Sequence, residues 1–241
     1  MTVKPYKEKP GTKKEQVREM FDNISPKYDF LNRLLSMGID IRWRNKLIEL
    51  MKPLSPQHIL DIATGTGDLA VLEARKLRPA KVTGLDLSEG MLQVAKKKVR
   101  EQNLEKIVEL IQGDAEHMPF DDNTFDAITV AFGVRNFENL KAGLSEMRRV
   151  LKPGGTVFIL EFSQPGKTPF KQLYRFYSGH ILPFLGKIIS GDSSAYTYLP
   201  ESIAAFPYGK EMENILMKTG YKEAKTYPLT FGISSIYVAK K

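Results

Sequence analysis

The chain has 241 residues, 42% of them hydrophobic, enough for one α/β domain with additions and a core of its own. It contains no cysteine, which excludes disulfides, thiolate metal sites and covalent cysteine chemistry. The net charge of +8 invites a nucleic-acid reading, but Lys4, Lys7, Lys9, Lys13 and Lys14 against Glu8 place a net +4 in the first residues. A mobile, solubilising basic tail is the simpler reading, with no nucleic-acid partner. Such a tail would also be drawn to anionic lipid headgroups, so peripheral contact with an anionic membrane stays open.

Residues 1–14 show no apolar targeting segment or cleavage signal, which predicts a cytoplasmic protein. The longest apolar stretch, around Ile181 to Ile189, is interrupted by Pro183, Gly186 and Lys187 and is too short to span a bilayer.

The first element in chain order is a helix opened by Thr12-x-x-Glu15, a capping box, with Val17, Met20, Phe21 and Ile24 at helical spacing. Ser25-Pro26 ends or bends it. Further helices are expected over Asp29–Ser36 and Asp40–Met51, and residues 1–55 read as a tail and helical cap ahead of a domain over 56–241. The apolar face of that cap reads by default as core.

Strands are then expected at His58–Asp61, Lys81–Asp86, Val108–Gln112, Ala127–Phe132 and Thr156–Glu161, alternating with helices at Leu69–Leu77, Glu89–Gln102 and Leu140–Leu151. Lys152-Pro-Gly-Gly155 reads as a helix stop and turn into the fifth strand. An insertion over 164–207 follows, rich in Tyr, Phe, Gly and Pro. A helix near Gly209–Thr219 and strands near Glu223–Tyr227 and Phe231–Ala239 close the chain. The expected architecture is a Rossmann-like α/β fold: a seven-stranded, mostly parallel sheet with an N-terminal helical cap and a helical insertion after the fifth strand.

The stretch Asp61-Ile-Ala-Thr-Gly-Thr-Gly-Asp68 carries the chemistry. A strand precedes it, a helix follows it, and a second strand ends on Asp86, which together describe a nucleotide-binding βαβ unit. Gly65 and Gly67 let the backbone approach a ligand, and Asp86 is placed to accept both hydroxyls of a ribose. NAD enzymes share the glycine pattern. However, an acid four residues before the first glycine suits S-adenosylmethionine, which has no phosphate and carries an ammonium that needs an acceptor such as Asp61.

Ligands of open α/β sheets bind beyond the carboxyl ends of the strands. Asp114, just past the third strand, is placed there to read adenine, the alternative being a turn cap. Arg135, beyond the fourth strand, is the candidate for catalytic electrostatics, against a surface or salt-bridged arginine. Tyr28 and Asn32, one helical turn apart, would close the site from the cap, core packing being the alternative for Tyr28.

Several motifs resemble the ubiquinone/menaquinone biosynthesis C-methyltransferase family over nearly the whole chain. They are Phe21-x-x-Ile-Ser-x-Lys-Tyr-Asp29, the Asp61–Asp68 turn, Ala115-Glu-x-x-Pro-Phe120, Asp122-Asn-Thr-Phe-Asp126 and Phe132-Gly-x-Arg-Asn136. Arg149-Val-Leu-Lys-Pro-Gly-Gly155, Leu160-Glu-Phe-Ser163 and Tyr198-Leu-x-Glu-Ser-Ile203 match as well. Lys-Pro-Gly-Gly and the glycine turn are common to many methyltransferases, whereas Phe-Gly-x-Arg-Asn and Lys-Tyr-Asp are far more specific.

The resemblance implies cofactor contacts at Thr66, Asp86, Asp114 and Ala115. It also implies methyl transfer from S-adenosylmethionine, without a metal, to a ring carbon of a reduced polyprenyl quinone, demethylmenaquinol first and a ubiquinone precursor second. Ala131 stands where some relatives carry serine, so a hydroxyl contact is missing there.

The insertion carries Phe170, Leu173, Tyr174, Phe176, Tyr177, Ile181, Leu182, Phe184 and Leu185 among basic residues. It reads as a helical lid, part of which would receive a prenyl tail and touch the bilayer. An RNA or protein methyltransferase is the catalytic rival, and a non-catalytic S-adenosylmethionine-binding partner protein is the other. Oligomeric state is left open, a homodimer included.

Overall fold

The computed structural model describes residues 3–166, 172 and 194–241. The apolar insertion residues named above lie outside the described residues.

Three helices precede the sheet: α1 (Lys13–Ile24), α2 (Tyr28–Ser36) and α3 (Ile39–Met51). The expected capping box is present, with the Thr12 side chain accepting from the Glu15 N–H while the Glu15 carboxylate accepts from the Thr12 N–H. Ser25-Pro26 opens a short 3-10 turn over Ser25–Lys27, because proline tolerates a first helical position but cannot continue the ladder of α1. Met37 and Gly38 both take left-handed backbone (φ 51° and 73°) and turn the chain between α2 and α3.

The strands are β1 (His58–Ile62), β2 (Lys81–Asp86), β3 (Val108–Gln112), β4 (Phe125–Ala131), β5 (Leu151–Phe162), β6 (Glu223–Leu229) and β7 (Ser234–Lys240). They form one seven-stranded sheet in the order β3-β2-β1-β4-β5-β7-β6. Pairing is parallel from β3 through β5, and β7 runs antiparallel to both β5 and β6.

Helices α4 (Asp68–Leu77), α5 (Glu89–Glu101) and α6 (Leu140–Val150) fill the β1–β2, β2–β3 and β4–β5 crossovers, and α8 (Lys210–Lys218) precedes β6. A further helix, α7 (Ser194–Ala205), falls within the stretch read as the insertion.

The largest boundary difference from expectation is at the start of β5. Leu151 already pairs with Phe125, so β5 starts before Lys152-Pro-Gly-Gly155 and contains it. Helix α6 ends directly in extended backbone at Leu151 (φ −76°, ψ 135°), whose side chain is fully buried; that burial draws the chain into the sheet without a loop.

The core lies in two layers. Leu144, Met147 and Val150 of α6 and Met212 and Leu216 of α8 pack on one face of the sheet. Trp43, Leu47, Ile48 and Met51 of α3, with Leu69, Ala70 and Ala74 of α4, cover the other. A smaller cluster of Val17, Met20, Leu31 and Tyr198 joins α1, α2 and α7.

The expected mobile tail is corrected by the structure. Pro5 is buried, the Tyr6 N–H donates to the Gln16 side chain at 3.0 Å, and Gln16 donates back to the Lys9 carbonyl at 2.9 Å. Residues 3–12 thus fold back on α1, because the buried Gln16 amide finds its partners only in that backbone.

Candidate active site

The β1–α4 turn is built from residues whose conformation leaves little choice. Gly65 and Gly67 have φ of +57° and +79°, and a Cβ on Gly67 would come within 3.1 Å of Ala95. The Gly65 N–H donates to Asp86 Oδ2 at 2.7 Å, and the Ser88 N–H donates to Asp86 Oδ1 at 2.9 Å. Asp86 therefore locks the end of β2 to the glycine turn. Burial pushes its carboxyl up to about 6 despite those N–H donors, with Asp22 adding to the rise.

Asp61, at the end of β1, is 1% exposed and takes the Thr64 hydroxyl at 2.7 Å and the Thr129 hydroxyl at 3.0 Å. Burial raises its carboxyl to about 7; the two hydroxyls and Arg44 oppose that rise and Asp86 adds to it.

These strand ends open onto a cleft that encloses about 740 Å³ of space, part of it continuous with solvent. Five of the ten residues singled out from the sequence line it: Tyr28, Gly65, Asp86, Asp114 and Ala115, whereas Asn32 does not. Asp61, Thr66, Gly67 and Arg135 stand behind that lining. The Thr66 hydroxyl donates to Asp29 Oδ1 at 2.5 Å, which ties the turn to α2. Asp29 also meets Lys98 at 2.8 Å. Ala131 lines the cleft as a bare methyl group, where a serine would have offered a hydroxyl.

Helix α1 roofs the cleft through Lys14, Val17, Arg18 and Phe21, which reading the α1 face as core did not reveal. Lys14 reaches Asp114 at 2.6 Å and Glu116 at 3.4 Å. Burial raises the Asp114 carboxyl, but Lys14, the Glu116 N–H and His117 outweigh it and hold it below its ordinary value. Asp22 closes the same roof from further along, accepting from the Ser88 hydroxyl at 2.6 Å and the Gly90 N–H at 2.9 Å.

Tyr28 packs edge-on to Phe21, ring centroids 5.9 Å apart. Burial raises its phenol, with Asn32 and the Arg135 and Arg44 guanidinium groups partly opposing, so it stays protonated at neutral pH.

The floor is the Phe132–Asn136 segment. Phe132 sits at φ +59°, strained for a large side chain, and is held by stacking 4.7 Å from Phe162 and by a 2.8 Å bond from its N–H to the Leu160 carbonyl. Gly133 follows because a Cβ there would lie 2.4 Å from Ala63.

Arg135 turns under this floor. Its side chain is 7% exposed and pairs at 2.8 Å with Glu161, which is fully buried. It also donates to the Phe132 carbonyl. Arg135 is thus salt-bridged, with the guanidinium 5.4 Å from the Phe162 ring.

Sequence reasoning missed one buried carboxylate altogether. Glu73 on α4 is fully buried beside Thr129, but the Thr129 hydroxyl donates to Asp61, and neither Glu73 oxygen makes a well-formed hydrogen bond. Burial and the adjacent Asp61 push its carboxyl well above the ordinary range. Its place within the apolar stripe of Leu69–Leu77 was the available signal.

The residues present fit S-adenosylmethionine. Asp86 offers a carboxylate to the cleft, Gly65 brings bare backbone beside it, and Leu87, Met91 and Ala115 supply apolar walls for an adenine. A sheet of this order with β7 reversed, a glycine turn after β1 and a carboxylate closing β2 define a class I S-adenosylmethionine-dependent methyltransferase.

Solved structures agree on the fold. A SAM-dependent methyltransferase described as a possible histamine N-methyltransferase, from Thermotoga maritima, aligns with TM-score 0.64 at 18% identity over 92% of this chain and 99% of that one. The chain belongs to the ubiE/COQ5 methyltransferase family, which matches residues 9–241. The demethylmenaquinone methyltransferase of Bacteroides fragilis is 50% identical over 99% of this chain and 97% of its own length. The Ubiquinone/menaquinone biosynthesis C-methyltransferase UbiE of Geobacter sulfurreducens is 43% identical over 95% of this chain and 90% of its own.

Proposed function

We propose that this protein methylates a ring carbon of reduced demethylmenaquinone, giving menaquinol, at the inner face of the cytoplasmic membrane. The observation that carries the reading is near-complete alignment, at 50% identity, with a protein named for that reaction. The relatives named for both quinones support the demethylated ubiquinone precursor as a second acceptor.

S-adenosylmethionine, when bound, supplies a methyl group on an electrophilic sulfonium. Asp86 accepts the ribose hydroxyls, Gly65 gives close backbone approach, Ala115 and Met91 flank the adenine, and Thr66 and Gly67 hold the turn in shape. Asp61 sets the charge behind that turn.

A phenol ring carbon becomes nucleophilic as its neighbouring hydroxyl loses a proton, so the enzyme has to favour negative charge on that oxygen. Tyr28, protonated and lining the cleft, is placed to donate a hydrogen bond to it. Arg135 contributes positive potential from beneath the floor, reduced by its pairing with Glu161. Helix α1 closes over the reactants and excludes water.

The test is to incubate the purified protein with methyl-labelled S-adenosylmethionine and, separately, reduced demethylmenaquinone and the demethylated ubiquinone precursor. Label is expected in the menaquinol ring. Label in neither quinone, or in added RNA or protein instead, overturns the reading.

A further inference from the structure

The lysines of residues 1–14, which the sequence suggests are free to meet a membrane, are engaged within the molecule. Lys4 donates to the Gly11 carbonyl at 2.8 Å, and Lys7 and Lys9 pair with Glu201 and Glu19, each at 2.6 Å. Lys13 is buried against the Arg135 and Phe137 carbonyls, and Lys14 holds Asp114.

The outward apolar and basic groups concentrate elsewhere. Eight large hydrophobic side chains are exposed among the described residues, and four of them fall between residues 30 and 41: Phe30, Leu34, Met37 and Ile41. Phe30 is 62% exposed and Met37, at the tip of the α2–α3 turn, 85%.

The charges around them are sorted by sign. The acids between residues 27 and 46 are Asp29, half-buried, and Asp40, buried, and both are engaged by neighbouring side chains. Asp29 is taken by Thr66 and Lys98, and Asp40 by Arg44 and Ser36. The exposed charges in the same stretch are Lys27, Arg33, Arg42 and Lys46, all positive, with Lys46 also meeting Glu49. Apolar side chains ringed by cations, with the acids withdrawn, match the interfacial zone of an anionic bilayer, where the apolar groups enter the acyl boundary and the cations meet headgroups.

We infer that α2 and the first turn of α3 are the surface by which this protein docks on an anionic lipid bilayer. A second copy of the chain fits less well, since a two-fold contact through this face would set like charges against each other. Tyr28, on the first turn of α2, lines the cleft two residues before Phe30, so docking places the active site beside the lipid. The inference rests on the proposed lipid-borne acceptor for its purpose, but its test does not.

The full chain is sedimented with phosphatidylcholine vesicles with and without phosphatidylglycerol. Phe30→Ser with Met37→Ser, and separately Arg33→Glu with Arg42→Glu, are compared with Lys7→Glu with Lys9→Glu in the tail and with Met217→Ser, an exposed apolar residue elsewhere. Each basic residue near an anionic surface strengthens binding by about fivefold, so reversing two should weaken vesicle binding by at least about twenty-five-fold. The apolar pair should weaken it comparably. The tail and Met217 variants should stay within about twofold of the wild type.

Methylation of a water-soluble, short-tailed quinol should be unchanged in every variant, which reports on the reaction separately from docking. Docking through this face is overturned if the α2–α3 variants bind vesicles as well as the wild type, or if the wild type ignores phosphatidylglycerol. A dimer in light scattering that Phe30→Ser with Met37→Ser dissociates would assign the face to a second copy and also overturn it.

Discussion

Removing Arg135 should have two separable effects, and the Arg135–Glu161 pair tells them apart. The two side chains meet at 2.8 Å with 7% and 0% exposure, so Arg135→Ala leaves a buried carboxylate without its counter-charge. Breaking a buried pair from one side typically costs about 3–5 kcal/mol of stability. Adding Glu161→Gln should restore most of that, because the residual group is then neutral.

Catalysis should behave differently. If the guanidinium supplies potential at the acceptor oxygen, turnover in Arg135→Ala should fall, by less than the roughly 10²–10³-fold that losing a donor in direct contact costs, and the double variant should stay below wild type. Arg135→Lys should recover little turnover, since an ammonium lacks the planar, delocalised charge of the guanidinium, but part of the stability, since the Glu161 and Phe132 carbonyl contacts both run from a single guanidinium nitrogen. Urea unfolding midpoints read the first effect. Single-turnover methylation at saturating cofactor, well below the unfolding temperature, reads the second. Calorimetric affinity for S-adenosylmethionine should stay within about twofold of wild type, judged against the ligand affinities that direct hydrogen bonds control. Wild-type turnover in the stable double variant would reduce Arg135 to a structural partner of Glu161, and undiminished stability in Arg135→Ala would refute the burial argument.

Asp86→Asn should lower S-adenosylmethionine affinity by about ten- to a hundredfold, from loss of charge-assisted bonds of about 1.5–3 kcal/mol; unchanged calorimetric affinity would remove Asp86 from the site. Cofactor affinity should rise between about pH 5.5 and 7.5, because burial holds Asp86 at about 6 and Asp61 at about 7 and binding favours both ionised. The same raised carboxyls favour the ligand-free fold below their ordinary values and lose that advantage as pH rises through about 6 to 7, so urea midpoints of ligand-free protein should decline across that window; a flat affinity profile would contradict the assignment. Glu73→Met should stabilise the protein by about 1–3 kcal/mol, the typical cost of a buried polar group without partners, read as a higher unfolding midpoint; a destabilised variant would show that the carboxyl is satisfied.

The alternation of strands and helices from His58 onward was legible in the chain because it is written in local periodicity and turn residues. Thr12 and Glu15 announce α1, Gly65 and Gly67 announce the turn before α4, and the carboxylates at the ends of β1 and β2 follow from the strands that carry them. The presence of Asp86 and Asp114 at one cleft was readable for the same reason, since parallel strands bring their carboxyl ends to one edge.

Which faces meet is a different kind of information. Nothing near Lys14 in the chain names Asp114 as its partner, a hundred residues away, and nothing in α4 tells that Glu73 turns towards Asp61 rather than water. The pairing of Arg135 with Glu161, the folding back of the basic tail and the withdrawal of Asp29 and Asp40 from the α2–α3 surface have the same origin. Backbone pattern is set by each residue and its near neighbours, whereas the burial and charge of a side chain depend on elements brought against it only when the layers pack.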